Sequence, residues 1–372
     1  MSRGKDNVMK MRTFLIAILI MGAALLEPTG NAASDVSPKI LLGIYDGNQG
    51  YDMGRVAEVE QWQSKKHAVV NMFTNWCGDS KALDSLFKKQ LPAIWANGNV
   101  PMITWEPLLC GTTPDDIEVR IADGRYDPFI NRWATRLVKF LSGSDRKLGT
   151  RDDRRVYIRL GHEMNGNWYP WSAAVGGNIP SDFIAMWVHV RNIFKSLGLG
   201  PSHVQWIWCV NQTDVGGFSA EEYFPGDDYV DWVAIDGFNW GTSQSWSSWQ
   251  SPRECYDDMV GRLRRISRRP LALTEFAGSS LVGADNDPDL KGKWIGDFFA
   301  YAIEKGFAMV SWFNEDKETD WASSGGRFGT EITANGKHAY AQYRTAVADR
   351  TFVSSNRKNP RLLTDAQFSG WR

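Results

Sequence analysis

The chain has 372 residues, 43% of them hydrophobic and 23% charged, with a net charge of −1, enough for one α/β barrel or two smaller domains. So near-neutral a balance argues against a nucleic-acid polyanion as partner. Aromatic residues make up 13% and include 18 Trp, a surplus for which stacking on carbohydrate is the natural use. At the N-terminus Lys10 and Arg12 precede an apolar run over 14–26, and Gly30-Asn31-Ala32 offers small residues for cleavage. This reads as an export signal over 1–32. The run is too short for a comfortable membrane span, an uncleaved anchor being the alternative. A domain over 33–350 and a polar, basic, partly ordered tail over 351–372 are expected to follow. The mature protein is expected to be secreted or periplasmic, monomeric and free of the membrane.

Eight short apolar or β-branched runs recur at 40–45, 68–73, 100–105, 156–160, 204–210, 232–238, 271–276 and 308–313. Helical patterns separate most of them. The clearest places Phe183, Met186, Trp187, Val190, Ile193, Phe194 and Leu197 three and four apart, opened by Pro180-Ser181-Asp182 and closed at Gly198. Alternating strands and helices mean a parallel sheet, and eight units predict an α/β fold of the (β/α)8 TIM-barrel type with enlarged βα loops. An open doubly wound sheet is the rival. Its phosphate fingerprint is missing, since Tyr45-Asp46-Gly47-Asn48-Gln49-Gly50 lacks the glycine spacing.

Four cysteines in an exported chain permit disulfides, with three possible pairings. Cys77 and Cys110 each lie just beyond a predicted strand, on the same rim; Cys209 falls within a strand and Cys255 on a helix, where buried thiols are equally suited. No Cys/His spacing points to zinc. Neither a metal nor a cofactor is expected.

The stretch Arg159-Leu160-Gly161-His162-Glu163-Met164-Asn165-Gly166-Asn167-Trp168-Tyr169-Pro170-Trp171 sets a carboxylic acid among a histidine, asparagines and three aromatic rings, directly after a strand. Sugar rings present C–H faces that stack on Trp and Tyr, their hydroxyls need polar partners, and cleavage needs an acid to protonate the departing oxygen. Leu271-Ala272-Leu273-Thr274-Glu275 ends a later strand in a second carboxylate. Counted along the barrel, Glu163 follows the fourth strand and Glu275 closes the seventh. Both therefore belong on the C-terminal face, where barrel enzymes keep their chemistry. Other strand ends repeat the aromatic-plus-polar theme, at Trp105-Glu106-Pro107, at Asp236 with Asn239-Trp240, and at Trp312-Phe313-Asn314.

His-Glu-Met-Asn-Gly followed by Trp-Tyr-Pro-Trp resembles glycoside hydrolase family 26, whose best-known members are endo-β-1,4-mannanases. The resemblance implies a Clan A barrel in which Glu163 is the general acid/base and Glu275 the nucleophile of a retaining double displacement. It further implies substrate contacts from His162, Trp168 and Trp171, with Trp312 as a platform. Trp105, Glu106, Asn239 and Trp240 are rim candidates. Arg159 either supports ionised Glu275 or forms a purely structural ion pair. The expected partner is a β-linked polysaccharide, first of all a β-1,4-mannan. Three departures bear on that choice: Gly161 in a motif that mannanases write Arg-Pro-Leu-His, Trp105-Glu106-Pro107 in place of a rim histidine, and Phe238 in place of the tyrosine that bonds the nucleophile. Mixed-linkage β-1,3-1,4-glucan and β-1,3-xylan are the alternative substrates. The rival of another class is a non-catalytic carbohydrate-binding or exopolysaccharide-assembly protein.

Overall fold

The protein is described here by a computed structural model over residues 39–47, 50–77 and 79–371; the export signal read over 1–32 lies outside the described residues. The eight runs form parallel strands β1 Ile40–Tyr45, β2 Val69–Asn75, β3 Val100–Glu106, β4 Val156–Leu160, β5 Val204–Asn211, β6 Trp232–Asn239, β7 Leu271–Gly278 and β8 Met309–Phe313. Each pairs with the next, and β8 returns to β1 from Leu41 against Met309 to Tyr45 against Phe313. The ring is a closed (β/α)8 barrel. Five strands run one to two residues further than their apolar cores predict, because polar ends also pair across the rim, as Asn75 does with Glu106 and Asn211 with Asp236.

Between the strands lie outer helices, including Gly54–Trp62, Asp127–Leu141, Pro180–Ser196, Pro252–Ile266 and Pro288–Glu304. The helix predicted from the spacing at 183–197 starts at Pro180 and stops before Gly198, whose φ of +79° no side-chain-bearing residue adopts readily. Between β5 and β6 the crossover holds only the short 3₁₀ turns Ala220–Tyr223 and Asp227–Tyr229.

The barrel interior has two levels. Its lower part is apolar, with Leu41, Val69, Met102, Tyr157, Ile207, Ala234, Ala272 and Met309 packed together with Leu362, Leu363 and Phe368. These last three correct the expected partly ordered tail. Residues 351–371 are packed: Phe352–Val353 pairs beside β1, the Tyr157 hydroxyl donates to the Phe368 carbonyl at 3.1 Å, and buried Arg155 reaches the Leu363 carbonyl and the Asp365 carboxylate. A polar average hid three apolar side chains that close the bottom of the barrel.

On the opposite rim a disulfide joins Cys77 to Cys110 with a Cα–Cα distance of 4.5 Å, tying the loops after β2 and β3, while Cys209 and Cys255 are buried thiols. Among the described residues no helix is long and apolar enough to cross a membrane.

Replacing Phe368 by Ala should empty a fully packed site and destabilise the domain by about 3–5 kcal/mol. Urea unfolding measures it: the midpoint should fall at unchanged slope, and an unmoved midpoint would show that the C-terminal segment is no part of the closed barrel.

Candidate active site

Chain geometry at the end of β4 sets the first carboxylate. Past Leu160 the strand kinks through Gly161 at φ +52° and Glu163 at φ +54°, the second an uncommon conformation for a residue with a side chain. It is held from both sides. The Gly161 N–H donates to the Trp105 carbonyl of β3 at 3.1 Å and the Glu163 N–H to the Cys209 carbonyl of β5 at 2.9 Å. The carboxylate then accepts the Trp168 indole N–H at 2.8 Å.

The second carboxylate depends on an irregularity in β7. Against β6 the register runs Ile235 with Leu273 and then Asp236 with Glu275, so Thr274 is an extra residue in β7. Such a bulge breaks the strict in–out alternation. Thr274 and Glu275 accordingly both reach the barrel axis, Thr274 donating to Asp236 at 2.7 Å and Glu275 meeting Arg159.

Arg159 fills the upper barrel with no exposed surface. It ion-pairs with Asp236 and with Glu275, and donates to the Thr104 hydroxyl at 3.0 and 2.6 Å. Asn71 completes the group by donating to Glu275 at 3.2 Å and accepting from Thr104 at 2.9 Å. The partner that Phe238 cannot supply to Glu275 thus comes from β2 and β4.

These groups lie beneath a cavity of about 770 Å³ whose walls include Glu163, Glu275, His162, Asn211 and Gln212. One aromatic side is built from Phe73, Tyr169 and Trp168; another from Phe313, Phe238, Trp321, Trp240 and Trp246. Trp168 and Trp246 stand at the mouth, 44% and 70% exposed. The Tyr169 hydroxyl lies 3.1 Å from the His162 Nε2.

Several expected contacts are corrected. Trp105 and Trp312 are fully buried and face the helices instead of the cavity, Trp105 stacking on Trp133 at 4.3 Å and Trp312 packing edge-on against Phe276 and Tyr343. Parity is the reason: successive strand residues point to opposite faces, and on β3 it is Thr104 that takes the inward position. Trp171 is buried beneath Tyr169, stacked at 4.3 Å, and donates to the His162 carbonyl. Asn239 is buried too, accepting from the N–H groups of Gly241 and Gln250 and so shaping the loop that carries Trp240 and Trp246. Glu106 is half-buried and outside the cavity walls. Trp240, Trp168, His162 and both glutamates do line it. The sequence reading missed Tyr169, Trp246, Trp321, Phe73 and Asn71. For Tyr169 a signal existed, since it sits within the Trp-Tyr-Pro-Trp run; for Trp321, on a loop beyond β8, there was none.

Burial, followed by the charges of Asp236 and Glu275, pushes Glu163 up to about 8, with the Trp168 indole and Arg159 pulling weakly the other way. Burial also raises Glu275, to about 7, but here Arg159 and Asn71 favour the ionised form. Three carboxylates share one guanidinium, so the proton stays on the one without a cation in contact, Glu163. His162 is pushed well below the usual imidazole range by burial and by Arg159, and is neutral. His162, Asp236 and Glu275 place ligand atoms within 4.8 Å of one another. A divalent cation there would have to displace Arg159 from both carboxylates. A protonated acid facing an ionised carboxylate across an aromatic-walled cleft can protonate a leaving oxygen on one side and attack carbon from the other.

Comparison with known proteins gives one consistent result. The family described as Glycosyl hydrolase family 26 matches residues 73–255. Endoglucanase H of Acetivibrio thermocellus is 31% identical over 316 residues, which is 83% of this chain and 31% of that protein. The beta-1,3-xylanase TXYA of a Vibrio species is 22% identical, covering 58% of this chain and 44% of its own. This chain thus spans less than half the length of either relative. The catalytic domain of the Bacillus sp. JAMB-750 GH26 endo-beta-1,4-mannanase superposes with a TM-score of 0.60 at 15% identity, covering 85% of this chain and 87% of that one. It shares the fold.

The proton order is open to direct measurement by carbon-13 NMR of labelled glutamate side chains. Of the two cavity glutamates Glu163 should titrate second, near 8, with Glu275 below it. Carboxyls whose folded values are raised stabilise the fold fully below the ordinary range and lose that contribution as pH climbs through the raised value. Stability should therefore decline between about pH 4.5 and 8, and Glu163→Gln should flatten the decline; an ordinary titration of Glu163 would overturn the assignment.

Proposed function

Because the chain belongs to glycosyl hydrolase family 26, we propose that it is a retaining endo-β-glycanase in which Glu163 is the acid/base and Glu275 the nucleophile. The supporting observation is the asymmetry of the pair: both line one cavity, and Glu275 alone is held by a buried guanidinium. Glu163 gives its proton to the glycosidic oxygen as Glu275 forms a bond to the anomeric carbon and the leaving chain departs. Glu163, now ionised, takes a proton from water, whose oxygen displaces Glu275 and restores both groups. Arg159 and Asn71 keep Glu275 ionised, and Asp236 raises the proton affinity of Glu163. The rim rings Trp168 and Trp246 suit a long chain lying across the mouth. Export is part of the same reading, supported by the Cys77–Cys110 disulfide, which persists in an oxidising compartment.

For the substrate we favour a β-glucan containing 1,4 linkages over the mannan-type chain that the resemblance implied. All hydroxyls of a β-glucosyl unit are equatorial, leaving both faces apolar, as two aromatic walls require. Phe238 presents only carbon to the cavity and offers no hydroxyl to a sugar. Asn211 and Gln212 border the same cavity, their amide nitrogens donating to the carbonyls of Thr213 at 2.7 Å and Phe238 at 3.3 Å. Of the two relatives Endoglucanase H has the greater identity and matches the larger share of this chain, 83% against 58%. A mannan-type chain is the second reading, carried by His162 beside the acid.

Glu275→Ala should lower kcat by roughly 10⁴-fold or more on every substrate, whereas Glu163→Ala should lose about 10²–10⁴-fold on polysaccharide and far less on aryl glycosides whose leaving groups need no proton. Equal losses on all leaving groups would remove Glu163 from the acid role. The first product seen by proton NMR should be the β-anomer; an α-anomer would refute double displacement.

Substrate preference is decided by kcat/KM on matched oligosaccharides. Mixed-linkage or β-1,4-linked gluco-oligosaccharides should exceed manno-oligosaccharides by at least about tenfold, or about 1.4 kcal/mol. The reverse order would restore the mannan reading and leave the carboxylate roles intact.

A further inference from the structure

Trp321 reaches the cavity from the loop after β8, its ring centre 5.0 Å from that of Phe238 and 4.9 Å from that of Trp240. A ring carried on a loop makes a defined wall only where its backbone is held. The Trp321 indole N–H donates to the Glu318 carboxylate at 3.1 Å, and the backbone on either side of it is held by a group from outside the ring of strands. Lys291, on helix Pro288–Glu304, has no exposed surface. Its ammonium donates to the backbone carbonyl of Asp320, to the Asp320 carboxylate at 3.3 Å and to the backbone carbonyl of Ala322 at 3.1 Å. All three donors are thereby used, and the two carbonyls are those immediately before and after Trp321. The Asp320 carboxylate is tied in turn to the end of β7, accepting from the Ser280 N–H at 2.9 Å and the Ser279 hydroxyl at 3.1 Å. The Trp321 carbonyl itself accepts from the Trp312 indole at 3.1 Å. A buried ammonium is unfavourable unless fully paired, so the loop path that offers it these three acceptors is favoured.

We propose that Lys291 is a positioning residue for substrate: by clamping the backbone on both sides of Trp321 it holds that indole, 1% exposed, behind Phe238 and Trp240 and so fixes the aromatic wall that a sugar ring meets, setting affinity for the chain and leaving bond cleavage unchanged. This rests on the reading of the cavity as a glycan site. Nothing in the helix sequence marks Lys291 for such a role, since it lies outside the ring of strands that carries the carboxylates.

The test uses Lys291→Met, Lys291→Arg, Trp321→Ala and the Met/Ala double variant, assayed on the best oligosaccharide of the parent enzyme. Lys291→Met should raise KM by about tenfold with kcat within about twofold, Lys291→Arg should recover part of the loss, and the double variant should match Trp321→Ala. KM effects that multiply in the double variant, or a fall in kcat at unchanged KM, would overturn the proposal. Should Lys291→Met not fold, Asp320→Asn takes its place with the same expectations. If the parent cleaves no glycan, the reading of the reaction fails, and tryptophan emission decides the clamp: the spectral difference between parent and Lys291→Met should vanish in the Trp321→Ala background, and its persistence there would refute the positioning.

Discussion

A guanidinium with no access to solvent, set between two carboxylates inside the barrel, is the interaction on which the site depends. Arg159 ion-pairs with Asp236 and Glu275, and a third carboxylate, Glu163, borders the same cavity. Taking such charges out of water is costly, and an apolar filling would often be as stable. What the charged filling provides is a division of protonation states: one cation cannot compensate three anions, so the carboxyl farthest from its contacts keeps a proton. The two glutamates are distinguished by the placement of a single arginine, which contacts Glu275 and not Glu163, with Thr104 accepting from its guanidinium and Asn71 bridging Thr104 to Glu275.

The barrel brings these groups together by departing from regularity at two strand ends. The extra residue in β7 lets consecutive side chains, Thr274 and Glu275, share the interior, and positive φ values at Gly161 and Glu163 turn the chain after β4. Unusual backbone of this kind persists only where its surroundings determine it. Here the neighbouring strands do so through the carbonyls of Trp105 and Cys209.

Tryptophan serves two purposes that composition cannot separate. Trp105, Trp133, Trp187, Trp208, Trp232 and Trp312 are buried core residues, most of them filling the layer between strands and helices. Trp168, Trp240, Trp246 and Trp321 line the cavity, and all four lie outside the strands. A ring at a strand position is committed by parity to one face, whereas a ring on a βα loop can be aimed over the mouth. The loops, and the contacts that hold them, therefore shape the aromatic wall of the cavity.

Length, eight apolar runs and intervening helical periodicity determined a parallel α/β sheet of eight strands, because each unit buries its own apolar face against its neighbours, and the missing glycine fingerprint after the first strand favoured closing it into a barrel over the open doubly wound sheet. The order of the strands also determined that Glu163 and Glu275 share a rim. Which side chains face the cavity was decided only in three dimensions. A one-residue bulge in β7 reverses every inward and outward assignment beyond it, so Thr274 and Glu275 could not both be placed inside from alternation; on β3, whose register is regular, alternation alone left open whether Thr104 or Trp105 faces inward. The packed C-terminal segment, the service of Asn71 in place of a tyrosine, and the reach of Lys291 from an outer helix to the two peptide groups around Trp321 join residues remote along the chain. Such contacts depend on distances set by the closed barrel, to which composition and spacing along the chain are blind.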